Sequence, residues 1–316
     1  MVKEPDNQVD MSYERHVAHY EQFLSDPTSI EVGKSWANSD TVDAWRHNRM
    51  YALLDPLLET VPGAHWLTIG DGRYGTDAHY LLSKGARALA TDISDALLVK
   101  AHYDEYIQAY QCENAECLSF ADASFDFVLC KESYHHFPRP MLGLYEMVRV
   151  TKQATILIEP IDFLSDSLIT LGVLKVWRLK KRFAGMIKRA RTDAASTGYP
   201  DSWEPVGNYV YTISKREMIK AALGLGLEAV AFRGLEDYYC SGVEYEKVHP
   251  ASPLLRKIQR RIYLLEWLTR LHLKPPSLLA VILFKELPSE ALNQRLLQEG
   301  FEMKHLQRPS CTPISA

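Results

Sequence analysis

Three glycines, Gly70, Gly72 and Gly75, form a GxGxxG array within WLTIGDGRYGTDAHYLLSKGARALATDIS, and Asp92 follows after a second apolar run. Glycine at such positions allows positive φ and lets a ligand approach the main chain where a Cβ would otherwise stand. An aspartate closing the next strand can accept both hydroxyl hydrogens of a ribose. Gly70 and Asp92 are 22 residues apart, as in a strand-turn-helix-strand unit that holds a nucleoside. A glycine turn by itself also occurs as a purely structural connection. The same array suits a dinucleotide, so a nicotinamide-dependent oxidoreductase is the competing enzyme class.

A second group of reactive residues follows the apolar run FDFVLCKE: Glu132, Tyr134, His135 and His136 in KESYHHF, with Glu159 closing the next run, ATILIEP. A histidine titrates near neutrality and suits proton removal from a hydroxyl or amine. Neighbouring histidines can equally point in opposite directions and merely close a strand. A phosphate loop of the GxxxxGK[ST] kind, a GxSxG nucleophile elbow and an HExxH zinc helix are all missing. The five cysteines carry no CxxC spacing, which argues against a disulfide framework or a zinc site, so the reading requires no metal and places the chain in a reducing compartment.

The elements that must position these residues are legible as periodicity. The stretches SYERHVAHYEQFL and TVDAWRHNRMYALLDPLLE carry apolar residues at helical spacing, with Asp40 or Thr41 as N-cap, and read as an N-terminal helical cap over 1–60. Short apolar runs then alternate with helical stretches: HWLTIG, TDAHYLLSKG, ARALATD, SDALLVKAHYDEYIQAY, FDFVLCKE, RPMLGLYEMVRV and ATILIEP. Such alternation predicts an α/β, doubly wound, mostly parallel sheet buried on both faces, with 61–160 as its cofactor-binding half. A helical insertion over 161–204 interrupts it. The core resumes over 205–286, with SKREMIKAALGLG as helix, LEAVAFRGL as strand, a second helical insertion near 250–275 and LLAVILFKEL as the last strand. Residues 287–316 are expected to be a tail.

The run ENAECLSFADASFDFVLC, followed by SYHHFPRP and YEMVRVTKQATILIEP, resembles the class I S-adenosylmethionine-dependent methyltransferases, in particular their small-molecule, type 11-like branch. The likeness covers about Trp66 to Pro160 and implies a Rossmann-like fold with S-adenosyl-L-methionine as cofactor. By that resemblance Gly70 and Gly72 face the methionine and ribose, Asp92 with Ile93 binds the ribose, Asn114 and Ala115 bracket the adenine, and Lys131 lies beside the cofactor. The family's acid two residues before its first glycine is Thr68 here, and its tight glycine turn reads GDGRYG. Asp71 or Glu132 are the acids that can compensate, and an inactive methyltransferase-like binding module is a further reading of these departures. The expected activity is methyl transfer to a hydroxyl or amine of a small molecule of natural-product or glycan type. His135, His136 or Glu132 would be the catalytic groups, and Tyr134, Glu159, Tyr209 and Tyr211 the acceptor contacts.

The chain of 316 residues bears a formal charge of −4, which gives no overall attraction to nucleic acid. Locally, Lys175 to Arg191 holds eight basic residues and no acid, interleaved with Trp177, Phe183 and Ile187. This reads as a lid face packed on the core, or as a basic amphipathic segment able to touch a membrane surface or an acidic or lipid-linked acceptor. Neither a signal-peptide core nor a membrane-spanning run is visible, so a cytoplasmic protein is expected. The acceptor site is expected to be covered and largely apolar, walled by the cap, the first insertion and the tyrosines near Tyr209, Tyr211, Tyr238 and Tyr239.

Overall fold

The structure is a computed structural model that describes residues 12–18, 40–162 and 209–306. The basic stretch Lys175–Arg191 and almost all of the expected first insertion lie outside the described residues. Eight strands form one sheet: β1 (His65–Ile69), β2 (Arg87–Asp92), β3 (Tyr110–Cys112), β4 (Phe125–Lys131), β5 (Thr151–Pro160), β6 (Ala229–Leu235), β7 (Leu278–Phe284) and β8 (Glu302–His305). Their order across the sheet is β3-β2-β1-β4-β5-β7-β6-β8. The neighbours among β1 to β5 pair in parallel, whereas β7 runs antiparallel between β5 and β6, and β8 adds antiparallel to the outer edge of β6.

The central strands are apolar throughout because both faces are covered. All seven residues of LLAVILF in β7 are buried. Successive side chains alternate between two cores: Trp66, Phe127 and Ile156 belong to one, and their neighbours Leu67, Val128 and Leu157 to the other. The first core receives Leu54 and Leu57, Leu81 of α3 (Thr76–Ser83), Leu98 of α4 (Ala96–Tyr103) and Leu296 of α8 (Glu290–Gln298). The second receives Leu144 and Met147 of α5 (Pro140–Val150) and Met218 of α6 (Lys215–Gly224).

Ahead of the sheet, residues 12–18 are helical, followed by α1 (Val42–Tyr51) and α2 (Asp55–Thr60). Of the two expected caps Thr41 is the one used, its hydroxyl oxygen accepting from Ala44 N at 3.0 Å. The second insertion is α7 (Pro253–Arg270), which leaves the carboxyl end of β6 and returns into β7. Its Leu255, Ile258 and Ile262 pack on Val42 of α1 and Val243.

Two expectations about the elements are corrected. The helix expected to run to Tyr110 stops at Tyr103; Glu105 takes φ +57°, and Tyr110 already belongs to β3. LLAVILF is not the last strand, because the expected tail contains α8 and β8, with Leu292, Leu296 and Phe301 buried. Both missed strands are short edge strands, YQC and EMKH, with mostly exposed side chains, and so carry no apolar signature.

Candidate active site

Because β1, β2, β4 and β5 run parallel, Gly70, Asp92, the segment from Lys131 to His136, and Glu159 all arrive at one edge of the sheet. The glycine turn is shaped chiefly by its neighbours. Gly70 has φ +74°, and a Cβ there would lie 1.7 Å from Ser133 Oγ; at Gly72 it would lie 2.5 Å from the Asp92 carboxyl carbon. The first glycine thus lets the ends of β1 and β4 approach, and the second lets the Asp92 carboxylate sit against the turn. Asp92 accepts from Gly72 N at 2.9 Å and from Ser94 N at 3.0 Å, is 6% exposed, and is pushed by burial up to about pKa 6 despite those two donors. At neutral pH it is a desolvated carboxylate, as a ribose-binding acid must be.

Asp71 does something else. Its side chain accepts from Thr68 Oγ1 at 2.8 Å and from Asp77 N and Ala78 N at 3.0 and 2.9 Å, so it caps the start of α3. Burial and nearby Asp77 push its pKa well up. Thr68 is fully buried, its hydroxyl serving that cap. Of the two acids expected to replace the missing one, Asp71 is therefore committed to the helix and Glu132 remains. Glu132 holds a left-handed φ of +51° at the end of β4 and is aimed into the open cleft. Such backbone strain in a non-glycine residue costs of the order of 1–3 kcal/mol and tends to gather at functional sites.

A cleft of about 1100 Å³ opens here, lined by α1, the glycine turn, α3, Tyr106, Lys131 to Ser133, His135, His136, Tyr239 and Glu244. Among its described residues, six acids (Asp43, Asp55, Asp71, Asp77, Glu132, Glu244) face four cations (Arg46, Arg73, Lys84, Lys131). Three of the cations have carboxylate partners on the wall. Lys131 Nζ lies 3.4 Å from Asp77 Oδ1 and above the Tyr51 ring, Lys84 lies 3.1 Å from Asp55, and Arg46 is held between Asp43 and Asp237. Burial would lower the pKa of Lys131, yet Asp77 and Glu132 raise it on balance. His47, 3.3 Å from Lys131 Nζ, is driven well below its ordinary value by burial and by that cation, although 27% of its side chain is exposed. It stays neutral. Arg46 is 5% exposed.

The histidine pair is resolved by Glu159. This carboxylate is fully buried; Oε1 accepts from Ser133 N and Tyr134 N at 2.9 Å each, and Oε2 lies 2.6 Å from His135 Nδ1. A charge-assisted bond of that length fixes the ring and favours the tautomer protonated on Nδ1, so proton chemistry in the cleft falls to Nε2. His136 stands beside it, with ring centroids 3.9 Å apart, and also lines the cleft.

Several expected contacts are placed elsewhere. Glu159 lies beneath His135, outside the cleft lining, and acts on it rather than on an acceptor. Tyr134 is 1% exposed and points to Met141, its hydroxyl 3.8 Å from the sulfur. Tyr209 and Tyr211 are 46% and 37% exposed; their rings meet edge to face, and Tyr211 N donates to the His135 carbonyl. Asn114 Oδ1 accepts from Glu116 N at 2.9 Å, the Ile93 carbonyl accepts from Cys112 Sγ, and Ala115 packs against the second core, so all three lie outside the cleft lining. The helix of residues 12–18 reaches this region: Tyr13 OH donates to Glu116, which also takes Arg139 Nε at 2.7 Å, and the His16 ring lies 6.3 Å from that of His136. The described walls of the cleft mix charged side chains with the rings of Tyr51, Tyr80, Tyr106 and Tyr239, and the expected wall from the first insertion lies outside the described residues. His47, Asp77 and Tyr51 were missed because nothing in an amphipathic helix pattern marks which polar residue faces inward.

Residues 67–158 match the family described as a methyltransferase domain. Over this segment the chain is similar to methyltransferase domains of the type 11 branch. S-adenosyl-L-methionine is the cofactor that such a domain implies. Among solved structures, a SAM-dependent methyltransferase from Thermotoga maritima is similar at 15% identity over 87% of this chain and 99% of its own, with a TM-score of 0.43. A SAM-dependent methyltransferase from Archaeoglobus fulgidus is similar at 17% identity, covering 75% and 94%, with a TM-score of 0.45. The magnesium protoporphyrin IX methyltransferase of Synechocystis PCC 6803 is similar at 14% identity, covering 88% and 98%, with a TM-score of 0.42. At such identities and scores these likenesses carry no argument about what the chain acts on. No curated protein matches it. The residues present suit the cofactor: the desolvated Asp92 for ribose hydroxyls, Glu132 for an ammonium, and a surplus of acids around a sulfonium. Among the described residues no cluster of side chains could hold a metal ion, and no helix is long and apolar enough to cross a membrane.

Proposed function

We propose that this protein transfers a methyl group to a hydroxyl or amine of a small, uncharged or amine-bearing acceptor, with His135 as the general base and Glu159 as the residue that positions it. The observation that carries this reading is the 2.6 Å bond from His135 to a fully buried carboxylate, placed on the cleft that also contains Gly70 and Glu132. Bound S-adenosylmethionine supplies an electrophilic methyl on a sulfonium. His135 Nε2 would take the proton of the acceptor's hydroxyl or amine as the methyl is transferred, the carbon–sulfur electron pair remaining on sulfur as a thioether. Alignment and exclusion of water carry much of such a displacement, and a base near neutrality adds about 10²- to 10⁴-fold. Glu132 takes the cofactor's ammonium, and Asp92 its ribose. The acidic balance of the cleft favours a cationic cofactor and disfavours an anionic acceptor, so an acid or lipid partner is better sought outside it. A nicotinamide cofactor draws no support from the residues that match the methyltransferase family.

Calorimetry with S-adenosylmethionine and S-adenosylhomocysteine tests the cofactor; no heat at millimolar ligand would sink the reading, and NADH serves as the control. An acceptor screen with labelled cofactor follows. His135→Gln should then lower turnover by 10²- to 10⁴-fold with cofactor affinity unchanged, and Glu159→Gln should shift the pH profile of the remaining rate. Equal rates for wild type and His135→Gln at every pH would assign the base elsewhere.

A further inference from the structure

The helix α7 presents two faces of opposite character. Inward, Leu255, Ile258 and Ile262 are buried against Val42 and Val243. Outward, Arg256, Lys257, Arg260 and Arg261 are exposed along its first half, where they line a shallow groove with Leu264. Its second half exposes large apolar side chains: Tyr263 is 70% exposed, Leu264 44%, Trp267 51% and, just past the end, Leu271 48%. Arg256, Arg260, Tyr263, Leu264, Trp267 and Leu271 recur at three- and four-residue steps, so cations and rings share one stripe. The helix contains a single acid, Glu266, and that acid is taken by Arg49 at 3.1 Å. The chain as a whole is acidic, at −4, so this density of positive charge is local.

We propose that α7 docks this protein on an anionic phospholipid surface, with Arg256, Lys257, Arg260 and Arg261 on the phosphates and Tyr263, Leu264, Trp267 and Leu271 in the headgroup boundary. Tryptophan and tyrosine have an apolar ring and a polar tip, which suits that boundary, and leucines at the helix end add apolar area that water penalises. Charge complementarity selects the partner. Nucleic acid phosphate would engage the cations and leave Leu264 and Leu271 unused. In sequence, Lys175–Arg191 carries the same sign of charge. The helix lies on the surface and does not span it, since six of its 18 residues are charged. Through Val42 its inner face packs on α1, whose Asp43, Arg46 and His47 line the cleft, so α1 touches both the docking helix and the cleft.

The test uses the full-length protein and sedimentation with vesicles of phosphatidylcholine alone or mixed with phosphatidylserine, and it needs no turnover, so it stands or falls apart from the proposed activity. Binding should require phosphatidylserine and weaken with salt. It should fall about fivefold for each cation removed in Arg256→Gln and Arg260→Gln. Trp267→Ser should weaken it as well while leaving the circular dichroism spectrum and melting temperature unchanged, since the side chain is exposed. Any of these results overturns the proposal: no binding to either vesicle, equal binding to both, binding lost only on charge reversal within 175–191, or a concentration-dependent dimer abolished by Trp267→Ser in the absence of lipid. Tighter binding to RNA than to vesicles, lost in the same arginine variants, also overturns it.

Discussion

Asp92 links three properties at one atom group: it holds the glycine turn, it is desolvated, and it titrates near pH 6. A ribose donates to the carboxylate, not to the acid, so cofactor affinity should be full above about pH 6 and fall as pH drops through it, by up to tenfold per unit. For folding of the free protein the same raised value has the opposite sign. Between its ordinary value near 3.8 and about 6 the folded state holds a proton that the unfolded chain has released, so this group's contribution favours the fold as pH falls through that window. Calorimetric titrations with S-adenosylhomocysteine from pH 5 to about 8 check the first part, and Asp92→Asn should flatten the curve at a uniformly weaker affinity, about 1.5–3 kcal/mol down. Gly72→Ala is a sharper probe of geometry. Its Cβ would fall 2.6 and 2.8 Å from the two carboxylate oxygens, so the variant should displace Asp92 and lose cofactor affinity while retaining most of its thermal stability. An unchanged dissociation constant in that variant would remove Asp92 from the ribose site.

At the scale of elements, the cleft depends on how α1 and α3 are pinned to the end of β4. Lys131 from β4, Asp77 from α3 and Tyr51 from α1 meet in one buried network, with Tyr51 OH donating to Asp77 at 2.6 Å and the lysine 3.4 Å away. Removing one partner from a buried ion pair strands the other charge, so Lys131→Met should cost about 3–5 kcal/mol. Because apolar replacement of both partners is often neutral, Lys131→Met with Asp77→Leu should recover most of that loss. Urea unfolding of the two single variants and the double variant reads the coupling, and additive losses would show that the three elements are held by packing alone. The cap at Thr41 is an independent contribution to the same wall: Thr41→Ala should cost about 1 kcal/mol in the same assay.

For the molecule as a whole, the last elements are part of the fold. The helix α8 buries Leu292 and Leu296, Phe301 follows, and β8 covers the open edge of β6. Deleting the chain after Leu287 would remove three core side chains, each contributing about 1.5–3 kcal/mol, uncover the apolar surface beneath them and bare a strand edge. Against a total stability of about 5–15 kcal/mol, that deletion should leave an aggregating or molten protein, checked by near-ultraviolet circular dichroism and gel filtration. A cooperative melt of the truncated chain at the wild-type temperature would overturn this assignment.

What sequence alone determined is what repeats locally or depends on residue type at short spacing. The α/β alternation, the glycine turn with Asp92, the Thr41 cap and the grouping of reactive residues after β4 were legible because period, cap chemistry and positive φ are local demands. Tertiary structure decided which polar residues act. Asp71 lies inside the glycine motif yet caps α3, Tyr134 lies beside the histidines yet is buried away from the cleft, and Glu159 serves His135 rather than an acceptor. Chains brought together from positions 43, 77 and 131 make a charged wall that no local pattern announces. Short edge strands such as β8 exist only because a neighbour offers its hydrogen bonds, and a neighbour is a property of the folded chain.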